Sequence, residues 1–132
     1  MHIVIYAESK NLAYHRLNQA ISSLNTTQTI EVHDEIGLFV QRFRVIAVRP
    51  DLIIIIPNSP EELDILLTHR ELFENYRVIT ILPNREKETL SKSHKFHPSF
   101  ITFEDEDFKD VAAIVKHMDD KRTHREESYG VV

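Results

Sequence analysis

Five short segments rich in β-branched and aliphatic residues punctuate the chain, and the stretches between them carry apolar residues at helical spacing. Leu52–Ile56 is an unbroken aliphatic run, too short for a helix and without polar alternation. That pattern predicts a strand buried on both faces, in the interior of a parallel sheet. His2–Ala7 and Arg77–Leu82 read the same way, and Ser99–Phe103 predicts a further strand. Thr29–His33 instead alternates, with Ile30 and Val32 on one side and Thr29, Glu31 and His33 on the other, which suits a half-wetted edge strand.

The intervening segments predict helices. Asn11 caps a first helix with Ala13, Leu17, Ala20, Ile21 and Leu24 on its buried face. Asp34 caps a second, with a stripe of Ile36, Phe39, Val40, Phe43, Ile46 and Ala47, and Pro50 bars its continuation. Arg42, Arg44 and Arg49 lie off that stripe and read as a solvated face. Ser59, Pro60 and Glu62 open a third helix, as N-cap, first helical residue and capping-box partner, running to about Tyr76. Ile65 and Leu72 widen its apolar stripe beyond one sheet face, which implies either a deep groove or a contact surface. Residues 85–95 are mostly charged, so a helix there is short and weakly anchored. Phe108, Val111, Ala112, Val115 and Met118 form the last amphipathic stripe, with Ile114 beside it. From Asp119 onward the periodicity stops. The expectation is one α/β domain over residues 1–118 and a polar, disordered tail over 119–132. The architecture is a three-layer, doubly wound (βα)5 parallel sheet of strand order 2-1-3-4-5.

Composition narrows the chemistry. The chain has 132 residues, enough for one domain with a core. It has no cysteine, which removes thiol catalysis, disulfides and cysteine-ligated metals. Its 2 glycines are Gly37, inside a helical pattern, and Gly130, in the tail. Phosphate-cradling strand-to-helix loops need glycine, so Walker and dinucleotide loops are absent. A net charge of −5 does not suggest a nucleic-acid binder. No apolar run is long enough to span a membrane. The amino terminus runs straight into a strand without a signal-peptide pattern, so a cytoplasmic location is the default expectation.

The segment Ala47-Val48-Arg49-Pro50-Asp51-Leu52-Ile53-Ile54-Ile55-Ile56-Pro57 resembles the helix-end, Pro-Asp, apolar-strand segment of bacterial response-regulator receiver domains. Arg77–Leu82 and Phe100–Phe103 are similar to that family's fourth and fifth strands, and the likeness spreads over residues 1–118. It implies a CheY-like, flavodoxin-like fold. It also implies where phosphoryl chemistry would sit, and there the chain departs. For the acidic pair after the first strand it offers Ala7 and Glu8. Ile56, followed by Pro57, stands for the phosphoacceptor aspartate, Leu82-Pro83 for the hydroxyl residue, and Phe103-Glu104 for the lysine. The resemblance therefore implies a pseudo-receiver with no aspartyl-phosphate chemistry, not an enzyme, acting through protein contacts or a small ligand.

In such a fold Glu8, Asp34, Asn58, Asn84, Glu104 and Asp105 share the carboxyl rim of the sheet. Glu8, Asn58 and Asp105 are the candidate ligands for Mg²⁺ or another hard cation, since oxygen donors suit it. Two of the carboxylates could also work as acid and base. The 8 histidines, His94 and His97 included, lack the spacing of a zinc helix. Ser9 and Ser59 with His33 lack a nucleophile elbow. Candidate contact surfaces are Ile65 and Leu72 on the third helix and Phe103 and Ile114 near the last strand and helix, where receiver-like domains commonly dimerise or dock. The function expected is a phosphorylation-independent regulatory module with a protein partner or a second copy of itself. The alternative is a metal- or small-ligand-binding domain, or an enzyme, using the acidic rim.

Overall fold

The computed structural model describes residues 1–26, 28–45 and 47–130, the last eight of these as backbone only. Five parallel strands, β1 (His2–Tyr6), β2 (Thr29–His33), β3 (Leu52–Ile55), β4 (Val78–Leu82) and β5 (Phe100–Phe103), form one sheet in the order β2-β1-β3-β4-β5. Helices α1 (Leu12–Ser22) and α5 (Lys109–Gly130) cover one face; α2 (Ile36–Arg42), α3 (Pro60–Leu67) and α4 (Lys87–His94) belong to the other layer. The expected architecture and strand order are those observed.

The alternation of side chains along each strand divides the core between the layers. Ile3, Ile5, Leu52, Ile54, Ile79 and Ile81 pack with Leu17, Ile21, Val111 and Val115. Val4, Tyr6, Ile53, Ile55, Val78 and Leu82 pack with Phe39, Leu63, Leu66 and Phe73. β1, β3 and β4 are buried on both sides, except that His2 at the start of β1 is half-buried. On the second face an aromatic group joins α2 to α3. Phe39 stacks on Phe73 with centroids 5.4 Å apart, and Phe43 meets Phe73 edge-on at 5.2 Å. Such pairs add to simple area burial and anchor a helix of only seven residues.

Several boundaries differ from the expectation. α2 ends at Arg42, well before Pro50, because the Arg42 guanidinium turns onto the Val48 carbonyl and closes the connecting loop. Its N-cap is Glu35, not Asp34, and no side chain caps it. Ala47 is exposed in that loop, and Ile46 lies outside the described residues. α3 stops at Leu67, and its last expected turn is a separate 3₁₀ helix, Arg70–Phe73, that swings Phe73 into the aromatic group. α4 is short, as expected, but its inner face is polar: Thr80 of β4 and Ser93 hydrogen-bond at 2.7 Å, both fully buried. Residues 119–130, expected as tail, continue α5 as a single helix of 22 residues, about 33 Å long. No proline or glycine interrupts it before Gly130, and Lys, Arg and Glu are good helix formers. Residues 131 and 132 lie outside the described residues.

Candidate functional site at the carboxyl rim

Asn11 organises the rim. Its side-chain carbonyl caps α1 by accepting from the Tyr14 N–H at 3.2 Å. Its amide then donates to the Asn58 carbonyl at 2.5 Å, tying the β1 loop to the β3 loop. Glu104, beyond β5, lies at the same end of the sheet. Burial pushes the Glu104 carboxyl above the usual range, against the lowering pull of Asn11 and Arg16. Asn11, Arg16, Asn58, Asn84, Arg85 and Asp105 surround a cavity of about 510 Å³, with Leu12, Pro83 and Phe103 as its apolar lining.

Arg85 spans the β4 and β5 loops. It donates to Asp105 at 2.5 Å and to Glu106 at 2.7 Å, and its guanidinium lies 4.4 Å from the centre of the Phe103 ring. Hydrogen bonding from Arg85 lowers the Asp105 carboxyl below its ordinary range. Arg16 donates to the Glu106 carbonyl at 2.7 Å and covers the Phe108 ring at 5.0 Å. Phe108 has φ 63, a costly conformation for an aromatic residue, and its ring is buried against α1 and α5 residues.

The three expected cation ligands are not gathered. Asn58 and Asp105 line the same cavity, but one accepts from Asn11 and the other from Arg85. Glu8 is exposed and is not among the residues lining that cavity. Its charge acts on Tyr6, together with those of Glu62 and Asp34. Among the described residues no three His, Asp or Glu side chains gather in a geometry that could hold a metal ion. The Tyr6 hydroxyl, at the end of β1, donates to the Glu62 carboxylate. Burial, and then that bond, push the phenol far above its ordinary pKa. Glu62 therefore does not close a capping box. Ser59 caps α3 alone, accepting from the Glu62 N–H at 3.2 Å, because the buried phenol needs the carboxylate as acceptor.

The positions that the resemblance aligned with the phosphoacceptor, the hydroxyl residue and the lysine carry apolar side chains. Ile56 is fully buried and its N–H donates to the Tyr6 carbonyl at 2.9 Å. Leu82 is fully buried, and Phe103 packs against the second core cluster under Arg85. Of the candidate contact residues, Ile65 is 51% exposed, whereas Leu72, Phe103 and Ile114 are partly buried against the core. Ile65 thus stands out of the stripe while Leu72 turns inward. Ser9 and His33 are not joined: the Ser9 carbonyl meets His15, and His33 pairs with Glu31.

A second polar group lies away from the rim, beside α2. Glu31 of β2 accepts from His33 at 2.6 Å, from Arg42 at 2.7 Å and from His2 at 3.2 Å. Burial works to raise the Glu31 pKa, but these three donors outweigh it and hold the carboxyl at about 2. Arg42 is not on a solvated face: its side chain is only 8% exposed. The Asn11 bridge, the Arg85 clamp and this group were all missed by pattern reading. Pro83-Asn84-Arg85 after β4 was a usable signal, but the acids that Arg85 meets lie 20 and 21 residues away.

With this geometry in view, comparison with known proteins gives a consistent result. No protein-family model matches the chain, and no curated protein sequence matches it. Solved structures do. A receiver domain protein from Methanospirillum hungatei superposes with a TM-score of 0.68 at 12% identity, over 94% of this chain and 97% of that one. A CheY-like response regulator protein from Mesorhizobium loti gives 0.66 at 14% identity, over 88% and 96%. A Sinorhizobium meliloti chain described as a pilus assembly protein gives 0.62 at 14% identity, over 88% and 98%. The fold is that of CheY-like receiver domains. Among the described residues no helix is long and apolar enough to cross a membrane.

Proposed function

We propose that this chain is a receiver-like regulatory module that works without aspartyl phosphorylation, through contacts with a protein partner or a second copy of itself. The observation that carries this reading is Ile56, fully buried at the carboxyl end of β3, where a phosphoacceptor would have to present an oxygen to the rim. The rest of the rim is consistent with it. Asn58 and Asp105 are already satisfied by Asn11 and Arg85, so a divalent ion would have to displace an amide and a guanidinium. Ile65, with half its surface exposed on α3, is the leading contact residue; Phe103 and Ile114 mark a second candidate surface. A cytoplasmic setting, with no cofactor and no enzymatic turnover, belongs to the same reading.

The test is an amide NMR titration with Mg²⁺, followed by beryllium fluoride as a phosphoryl mimic. The expected result is no saturable shift at Glu8, Asn58 or Asp105 with either addition. Saturable shifts with Mg²⁺ alone would replace this reading with a metal-binding one. A further change with beryllium fluoride would mean that some rim residue still accepts a phosphoryl group, and would overturn it.

The cavity of about 510 Å³ supports one alternative, a small-ligand-binding regulatory domain. Its lining of three asparagines, two arginines, Glu104 and an Asp105 already held by Arg85, around an apolar floor, would suit a polar ligand better than a metal. A co-purifying small molecule released on denaturation would favour it.

A further inference from the structure

The opposite edge of the sheet has its own topography. Thr29 begins β2, and Met1, Asp51, Arg77 and Ser99 directly precede β1, β3, β4 and β5. Backbone hydrogen bonds knit this row together: Thr29 N–H to Met1, Asp51 N–H to His2, and Ser99 N–H to Val78. Three cavities follow it in strand order. The first, of about 440 Å³, includes Thr29, Met1, Arg49 and Asp51 in its lining. The second, about 420 Å³, shares Met1, Asp51 and Arg122 with the first and adds Arg77 and Lys121. The third, about 430 Å³, shares Arg77 and Met118 with the second and reaches Ser99 and Ile114. Consecutive cavities with shared walls make one trough across the five strands. At the usual strand spacing it is about 19 Å long, room for roughly six extended residues.

Its charge contrasts with that of the whole chain. Among the described residues Arg49, Arg77, Lys121 and Arg122 line it, against one carboxylate, that of Asp51, which meets Arg122 at 2.7 Å. Arg49 donates to the Asn75 carbonyl and lies 4.4 Å from the centre of the Tyr76 ring. Arg77 is exposed, as is Lys121, and neither has an ion pair with any described residue. Beyond them the trough turns apolar, with Ala113, Ile114 and Met118 in its wall. In a molecule of net charge −5 whose acids crowd the other end of the strands, an anionic partner is steered to this edge.

We propose that this trough docks an extended acidic segment of a partner protein, its carboxylates on Arg77 and Lys121 and an apolar anchor on Ile114 and Met118. The apolar end, with Ala113, Ile114 and Met118 in its wall, favours a peptide carrying an apolar anchor over a nucleic-acid backbone. This inference goes beyond the proposed function and does not rest on the rim.

The probe is a labelled, acetylated peptide of four glutamates followed by two leucines, with the full chain, followed by fluorescence anisotropy and amide NMR at low salt. The expected result is saturable binding, with shifts centred on Asp51, Arg77, Ser99, His117 and Lys121. Arg77→Glu with Lys121→Glu should weaken it about tenfold or more, and added salt should weaken it further. Met118→Ser should weaken the peptide with leucines but not an all-glutamate peptide, a split that general destabilisation would not produce. The proposal is overturned by absence of saturable shifts along the trough, or by equal affinity for a ten-nucleotide single-stranded DNA. Equal binding of a peptide with lysines in place of the glutamates would overturn it as well. None of these outcomes bears on Ile56 or the beryllium fluoride response.

Discussion

Two charge clusters in this molecule use the same side-chain chemistry in different surroundings. At the rim, Arg85 clamps Asp105 and Glu106 in the open: its side chain is 48% exposed and that of Asp105 is 67% exposed. Beside α2, Glu31 gathers His2, His33 and Arg42, and there the arginine is almost wholly covered. Exposed pairs sit in high dielectric and give up side-chain freedom to form, so they add little to stability. A covered guanidinium that loses its carboxylate has no water to replace it. Distance alone, 2.5 and 2.7 Å for the two Arg85 pairs and 2.7 Å for Arg42 on Glu31, does not rank these contacts; burial does.

The largest expected effect follows from that ranking. Arg42→Ala removes the covered partner of Glu31 and the tie to the Val48 carbonyl, and should destabilise the fold by about 2–3 kcal/mol in denaturant unfolding. A change as small as that of an ordinary surface substitution would erase the distinction between the clusters.

The pH dependence should be nearly as large. The folded-state pKa of Glu31, about 2, lies below its ordinary 4.5. Its contribution is therefore fully present above pH 4.5 and is lost as the pH falls from there through about 2. With Glu31 partly exposed, the loss should be about 2 kcal/mol, and Glu31→Gln should flatten that part of the acid-unfolding profile. An unchanged profile in the variant would place the acid sensitivity elsewhere.

Tyr6→Phe tests a third kind of pair, a buried neutral donor on a carboxylate. It should cost about 1 kcal/mol, and it should lower stability without disturbing the aromatic packing of Tyr6 on Phe39. The smallest effect belongs to the rim. Arg85→Ala should leave the unfolding midpoint in place while returning Asp105 toward the ordinary carboxylate range, read by carbon-detected NMR titration. A marked fall in stability would mean that the rim clamp is structural after all.

Much of the fold was legible in the residues. Leu52–Ile56 announced a doubly covered strand, and Thr29–His33 announced a half-wetted edge. Capping by Asn11 and Ser59 was readable because a cap is a local event, a side chain reaching a backbone N–H three residues on. What escaped was nonlocal. Asp34 looked like a cap, but Glu35 holds that position. Glu62 looked like a capping-box partner, but Tyr6, 56 residues away, claims its carboxylate. Arg42 looked solvated because helical spacing places it off the apolar stripe; Glu31 across the layer draws it in. The periodic stripe ends at Met118, yet α5 runs on to Gly130, because a helix can continue past the surface it packs against.

The sequence by itself determined the layering, the parallel sheet, its strand order and the absence of an oxygen at Ile56, because hydrophobic period and residue identity are written along the chain. Only the tertiary structure decided which charges are paired, which arginines are covered and where the basic trough runs. Those outcomes depend on residues far apart in sequence being brought within hydrogen-bond reach, and on how much water the fold leaves around them.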